Sequence, residues 1–146
     1  FELLFEKGQK SEAVIALKAN ITDGNNKIVL LVEDNKINQM ITQKMLEKKG
    51  ISCVILDSGE EAIENARTHQ YDLILMDVHL PGISGTEATS AIRSFDSKTP
   101  IIALTAISLN ENKETLLSFG MNEVITKPFE PDYFYDVILS YLATSE

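Results

Sequence analysis

The sequence is poor in cysteine, since Cys53 is the only one among 146 residues. A single thiol can build neither an internal disulfide nor a cysteine-ligated metal site, and such sparse use of cysteine is typical of cytoplasmic proteins. The sequence also lacks any apolar run near the roughly 20 residues that a transmembrane helix needs. We therefore expect a cytoplasmic segment that makes no membrane contact.

Positive charge is scarce as well. The chain has 13 Lys and Arg against 22 Asp and Glu, a formal net charge of −9, which argues against a nucleic-acid surface but not against a cation site. No methionine stands at the start, since the first residue is Phe1, and we interpret the chain as a piece of a longer protein. A hydrophobic share of 44% is that of an ordinary globular domain.

After residue 26 the sequence alternates five times between an apolar run and a helical pattern. The predicted strands are 27–33, 51–56, 72–76, 101–104 and 123–126, and the predicted helices are 37–49, 59–68, 85–95, 109–119 and one that begins near Pro131. Two helices begin with serine and glutamate spaced as a capping box, Ser58 with Glu61 and Ser108 with Glu111.

Such close alternation requires right-handed crossovers that place helices on both faces of a parallel sheet. The first, third and fourth strands are the most continuously apolar, so we place them at the centre of the sheet. The sequence therefore predicts a flavodoxin-like (βα)5 fold, a doubly wound parallel sheet in the order 2-1-3-4-5. Its ligand crevice would lie between strands 1 and 3.

Polar side chains that suit one kind of chemistry follow four of these strands, and the strand ends share one edge of the sheet. They are Glu33, Asp34, Asp77, Thr105 and Lys127. Three neighbouring carboxylates repel one another unless a cation lies between them, and Mg²⁺ prefers such oxygen ligands. This arrangement suits phosphoryl transfer, in which a carboxylate can be the nucleophile while a hydroxyl and an ammonium bind the phosphoryl oxygens.

Each of these residues also has a purely structural explanation. Asp34 or Asn35 could cap the first helix. Asp77 could form an Asx turn, Thr105 could simply end its strand, and Lys127 could lie on the surface. We favour the functional interpretation because four strand ends carry the required side chains together.

Five motifs extend this pattern over about 120 residues. They are V-L-L-V-E-D-N at 29–35, L-I-L-M-D at 73–77, P-G-I-S-G at 81–85, P-I-I-A-L-T-A at 100–106 and K-P-F at 127–129. From residue 27 to 146 the chain thus resembles the receiver domain of two-component response regulators. The resemblance implies that Asp77 accepts a phosphoryl group from a phosphohistidine on a histidine kinase or a histidine phosphotransfer domain.

The resemblance also implies the roles of the surrounding residues. It implies a Mg²⁺ ion held by Asp34, Asp77 and the backbone carbonyl of His79, with Glu33 assisting through water. It further implies that Thr105 and Lys127 bind the phosphoryl group, and that the Lys127–Pro128 bond is cis. The His79 side chain is expected to line the pocket mouth and to modulate dephosphorylation.

One position departs from the family pattern. Three residues before Lys127 the family usually has an aromatic residue, whose ring turns inward when the threonine moves toward the phosphate, and here that residue is Val124. Phosphorylation itself needs no ring, so we expect the chemistry to be kept and the response of helix 4 and strand 5 to differ.

The form V-E-D-N is similar to receivers attached to hybrid sensor histidine kinases. The first residues, F-E-L-L-F-E-K-G, are similar to the last strand of a histidine kinase ATP-binding domain. We interpret residues 1–26 as a linker that carries this orphan strand and residues 27–146 as the receiver domain. A linker together with an expression scar is the alternative.

Helix 1 predicts a partner surface. We expect Ile41, Met45 and Leu46 to face the core and Ile37 and Met40 to lie exposed beside the acids. The exposed pair, together with Phe129, would dock a helical histidine-bearing partner, unless these are merely scattered surface residues.

Two other functions compete with a phosphoacceptor. The first is a receiver-like scaffold that binds proteins without phosphorylation, which Val124 keeps open. The second is a nucleotide binder or enzyme of the same topology, which would need a phosphate-cradling loop after strand 1. The acids Glu33 and Asp34 lie there instead, and they repel phosphate unless a metal is bound.

Overall fold

The computed structural model describes residues 27–106, 113–127 and 130–144, which hold five strands and five helices in strict alternation. The strands are β1 Ile28–Val32, β2 Ser52–Leu56, β3 Leu73–Asp77, β4 Ile101–Ala106 and β5 Glu123–Lys127. The helices are α1 Lys36–Lys48, α2 Gly59–Thr68, α3 Gly85–Arg93, α4 Lys113–Ser118 and α5 Pro131–Thr144. Most of these boundaries lie within two residues of those expected from the sequence.

The five strands form one parallel sheet in the order β2-β1-β3-β4-β5, which confirms the predicted fold. The side chains on its two faces form separate apolar layers. Leu46 of α1 and Phe134, Ile138 and Leu142 of α5 cover one face. The other face is covered by α2, α3 and α4 through Ala62, Ala88, Ile92 and Leu116. Because both faces are buried, the central strands needed the continuous apolar runs that made them visible in the sequence.

Side-chain caps begin three of the helices. Asn35 accepts a hydrogen bond from the Asn38 amide at the start of α1, and Ser58 accepts one from the Glu61 amide at the start of α2. A full capping box of Ser84 and Glu87 opens α3, which the sequence analysis had missed. The predicted box of Ser108 and Glu111, the first residues of predicted helix 4 and the segment 1–26 lie outside the described residues.

The prediction that Ile41 faces the core was wrong, because 49% of its surface is exposed. The buried residues of α1 are Gln39, Thr42 and Leu46, with Met45 packed beside them. The Gln39 side-chain amide donates hydrogen bonds to the Glu33 carbonyl and to Asp57 at the end of β2. These bonds turn the polar Gln39 inward and leave the apolar Ile41 outside.

The start of α3 packs directly against the end of β3. The Gly85 amide donates to the Val78 carbonyl at 2.9 Å. A Cβ on Gly85 would lie 2.1 Å from the backbone carbonyl oxygen of Asp77, so only glycine permits this approach.

Among the described residues, no helix has the length and apolar character that crossing a membrane requires.

Candidate active site

The end of β1 places two acids in very different surroundings. Glu33 is buried, whereas the next residue, Asp34, is exposed. The Glu33 amide donates to the Leu56 carbonyl at 3.0 Å, and its carboxylate accepts a bond from the Asn35 amide at 3.2 Å. Because Asn35 provides the cap of α1, the Asp34 carboxylate is not needed for that purpose.

Asp77 is the last residue of β3 and only 4% of its surface is exposed. Its carboxylate accepts a hydrogen bond from the His79 backbone amide at 3.1 Å. The His79 side chain is exposed, and its place at the pocket mouth stays a prediction. Whether the His79 carbonyl ligates a metal stays a prediction.

The fold brings the three predicted acids together. Carboxylate oxygens of Glu33, Asp34 and Asp77 lie within 4.8 Å of one another, one exposed and two buried. A set of oxygen donors around one point, with one side open to solvent, fits a hard divalent cation such as Mg²⁺, which keeps several of its waters when bound. These residues therefore fit the metal that the sequence analysis predicted.

Lys127, the last residue of β5, reaches the same cluster. Its Nζ lies 3.0 Å from Glu33 Oε1 and 3.3 Å from Asp77 Oδ2. Burial acts to lower the pKa of Lys127, but the two carboxylates outweigh it and the pKa is raised above its usual value. The lysine is thus held as an ammonium beside Asp77, where it can bind an anionic group.

The pKa of Asp77 is raised from 3.8 to about 6. Burial is the largest cause, followed by the hydrogen bond to Glu33 and the charge of Glu33. Lys127 and the His79 amide act in the opposite direction and do not compensate. This carboxylate is therefore short of positive charge, which is the situation that a bound cation corrects.

Thr105 lies on β4, the strand next to β3, and 5% of its surface is exposed. Asp77 pairs with Leu104 in the sheet, so Thr105 lies one residue further toward the edge where the acids meet.

Val124 is half-buried on β5 and packs against the apolar layer that contains Leu116 and Met121. The predicted cis bond at Pro128 lies outside the described residues.

Three polar residues beside the acids were not predicted. Gln39 links the Glu33 carbonyl to Asp57, and the Nζ of Lys36 lies 3.4 Å from the Asp57 carboxylate. Asp57 follows directly on β2, so the rule that selected Glu33 and Asp77 as strand-end acids could have found it. No feature of the sequence indicates that Gln39 faces inward.

The predicted docking residues on α1 are exposed. Ile37 shows 66% and Met40 53% of its surface, and Ile41 adjoins them on the same helix with 49%. We call Ile37, Met40 and Ile41 the α1 patch. The third predicted docking residue, Phe129, lies outside the described residues.

The parallel sheet and the acidic cluster at its edge together indicate one protein family. The sequence model of the response regulator receiver domain matches residues 29–139, most of the chain, and the chain belongs to that family. Two curated relatives illustrate its range. Transcription factor SKN7 of Saccharomyces cerevisiae is 40% identical over 114 residues, covering 78% of this chain and 18% of SKN7. Hybrid signal transduction histidine kinase I of Dictyostelium discoideum is 38% identical over 119 residues, covering 75% of this chain and 7% of the kinase. The chain thus spans less than a fifth of the length of either relative.

Solved structures agree with the family. The receiver domain of the sensor histidine kinase PA1611 from Pseudomonas aeruginosa is 36% identical with a TM-score of 0.76, covering 81% of this chain and 98% of that one. That structure holds a magnesium ion in its active-site cleft. The receiver domain of Saccharomyces cerevisiae Ssk1, solved with the histidine phosphotransfer protein Ypd1, is 33% identical with a TM-score of 0.75. The match covers 82% of this chain and 90% of the Ssk1 receiver chain.

Proposed function

We propose that this receiver domain takes a phosphoryl group from a phosphohistidine onto Asp77 with the help of Mg²⁺, as one step of a two-component phosphorelay. The observation that carries the proposal is the meeting of Glu33, Asp34 and Asp77 within 4.8 Å, with the Lys127 ammonium 3.3 Å from Asp77. The magnesium ion in the PA1611 receiver supports the choice of metal.

The residues divide the work of the reaction. Asp34, Asp77 and the His79 carbonyl would ligate Mg²⁺, with Glu33 assisting through water, and the ion would neutralise charge on the transferred group. Lys127 and the Thr105 hydroxyl would bind phosphoryl oxygens from the sides of β5 and β4. The backbone amide of His79, which donates to Asp77 Oδ1, leaves Oδ2 as the oxygen nearer to Lys127.

The transfer itself exchanges one bond for another. An Asp77 carboxylate oxygen attacks phosphorus, the phosphorus–nitrogen bond to the donor imidazole breaks, and the leaving nitrogen keeps the electron pair. The donor becomes an ordinary histidine and Asp77 becomes an aspartyl phosphate. Hydrolysis by water later restores the carboxylate and releases inorganic phosphate.

We also propose that the α1 patch docks the donor protein. Its residues lie on the helix that begins directly after the acids Glu33 and Asp34, so a partner that covers the patch also reaches the site. The Ssk1 receiver, which is similar to this chain, was solved with a histidine phosphotransfer protein. The proposed docking surface includes Phe129, which follows Lys127 by two residues in the sequence.

We propose that the parent protein is a hybrid histidine kinase whose receiver domain lies in the cytoplasm. Residues 1–26 would link the kinase core to this domain. The similarity to the Dictyostelium hybrid kinase supports this origin. The genomic reading frame upstream of this segment tests it directly, because a hybrid kinase requires an ATP-binding domain there.

Intact mass after incubation with Mg²⁺ and a small-molecule phosphodonor tests the chemistry. We expect a gain of about 80 Da, one phosphoryl group, that disappears with EDTA and in Asp77→Asn. No gain in a protein that binds Mg²⁺ would contradict the phosphoacceptor and favour the scaffold alternative, and Val124 would then be the first position to examine.

A further inference from the structure

Gln39 is the one residue of α1 whose side chain reaches the backbone that carries the acids. It is nearly buried, with 8% of its surface exposed. Its Nε2 donates to the backbone carbonyl of Glu33 and, at 2.8 Å, to Asp57 Oδ1. A primary amide has two protons, so these two bonds use the full donor capacity of that nitrogen.

The Glu33 carbonyl belongs to the peptide unit that joins Glu33 to Asp34, the two neighbouring acids of the cluster. The other side of Glu33 is fixed as well, because its amide donates to the Leu56 carbonyl of β2 at 3.0 Å. Because the amide and the carbonyl of Glu33 are both hydrogen-bonded, the backbone from which the Glu33 and Asp34 side chains extend is held in place before any ligand binds.

The geometry points to Gln39 as a positioning residue, which holds the Glu33–Asp34 peptide against Asp57 and so tunes the affinity of the acid cluster for a divalent cation. The inference rests on the proposed Mg²⁺ site and adds to it a residue that never touches the ion. Asp57 acts as the anchor of Gln39, and Lys36, 3.4 Å from the same carboxylate, helps to hold that anchor.

If Gln39 has only a structural role, its replacement should have a different effect. If it only fills space between α1 and the sheet, its replacement changes the stability of the domain and leaves cation affinity unchanged in the folded protein. Partners that orient metal ligands instead change the affinity itself, by about 10–100-fold where they touch the ligand side chain. Since Gln39 acts through a peptide unit, we expect an effect of about three- to tenfold for its loss.

The test compares matched variants in the same domain. Gln39→Met keeps the length and removes the donors. Asp57→Ala removes the acceptor, whereas Asp57→Asn retains an acceptor oxygen and should restore the bond. Thr42→Val, at another buried position of α1, is the control for a change in the helix core.

Isothermal titration with Mg²⁺ gives the dissociation constants, and amide NMR spectra in EDTA report on the Asp34 and Asn35 backbone without metal. We expect the Mg²⁺ dissociation constant to rise in Gln39→Met and Asp57→Ala, with shifted Asp34 and Asn35 amide resonances. Asp57→Asn and Thr42→Val should stay within about twofold of the natural sequence. At saturating Mg²⁺ the phosphorylation rate of Gln39→Met should recover, because affinity and not the chemical step is affected.

The outcomes separate this inference from the proposed function. Unchanged Mg²⁺ affinity in both Gln39→Met and Asp57→Ala, with the natural sequence binding Mg²⁺, overturns the role of Gln39 alone. A natural sequence that binds no Mg²⁺ overturns both. If Gln39→Met does not fold, equal affinities of Asp57→Ala and Asp57→Asn still contradict the inference.

Discussion

At the scale of single residues, Asp77 is held in a state that its surroundings disfavour. It is almost fully buried beside Glu33, and these two influences raise its pKa to about 6 despite the Lys127 ammonium. An ordinary buried aspartate is paired or hydrogen-bonded well enough to stay ionised at no such cost. The proposed cation would offset this cost, so we expect metal binding and folding stability to be linked at Asp77.

We predict that Asp77→Asn stabilises the metal-free domain. The folded-state pKa of Asp77 lies above the ordinary aspartate value of 3.8, so the native state favours the protonated acid. Stability from this group is complete below pH 3.8 and is lost as the pH rises through about 6. Each pKa unit corresponds to about 1.4 kcal/mol, so we expect a gain of about 1–3 kcal/mol near pH 7.5, measured by urea unfolding in EDTA.

The pH and Mg²⁺ dependence of that gain provide the control. The advantage of Asp77→Asn should shrink as the pH falls below about 6 and vanish below pH 3.8, where the natural aspartate is protonated in both the folded and the unfolded state. Saturating Mg²⁺ should stabilise the natural domain and not the variant, by about 1.4 kcal/mol when the ion is tenfold above its dissociation constant. An Asp77→Asn variant that is less stable than the natural domain in EDTA near neutral pH would contradict this account.

At the scale of elements, the strands were predictable and the rotation of a helix was not. A strand buried on both faces must be apolar throughout, and β1, β3 and β4 meet that demand. The rotation of α1 depends on Gln39, whose hydrogen bonds to Glu33 and Asp57 join residues distant in sequence. Periodicity alone therefore placed Ile41 in the core. The capping box of α3, by contrast, is readable from the three-residue spacing of Ser84 and Glu87.

The junction between β3 and α3 gives a prediction for one element. Gly85→Ala should destabilise the domain by about 1–3 kcal/mol, because the new Cβ would meet the Asp77 carbonyl and force the two elements apart. It should also weaken Mg²⁺ binding, since Asp77 moves with its backbone. Ser90→Ala on the exposed side of α3 is the matched control. Urea unfolding and calorimetry measure the two effects, and a Gly85→Ala domain of natural stability would refute the close packing.

The α1 patch gives a second prediction at this scale. Replacing Ile37 and Met40 by serine should slow transfer from a phosphorylated histidine phosphotransfer protein by about five- to thirtyfold, because about 1–2 kcal/mol of apolar contact is lost. Phosphorylation by a small phosphodonor should be unchanged. Phe119→Ser, another exposed apolar residue that follows α4, should leave both rates as they were. Equal transfer by the natural and doubly substituted domains would exclude the patch as the docking site.

At the scale of the whole molecule, the sequence predicts the sheet order and the site from one constraint. Parallel strands that alternate with helices bring their carboxyl ends to one edge, and four of those ends carry the acids, the hydroxyl and the ammonium that were predicted to form the site. The spatial distances, the raised pKa of Asp77 and the tie between Gln39 and Asp57 required the folded chain, because they depend on side chains from different elements. That the response of α4 and β5 to phosphorylation differs because Val124 replaces an aromatic residue stays a prediction.

The most direct measurement of the central claim is transfer from a protein donor. The domain is mixed with a phosphorylated histidine phosphotransfer protein and Mg²⁺, and the mass of the intact domain and of its peptides is followed with time. The account predicts one phosphoryl group on Asp77, lost from the donor as it is gained, and absent with EDTA or in Asp77→Asn. A phosphoryl group on another residue, or equal transfer to Asp77→Asn, would contradict it.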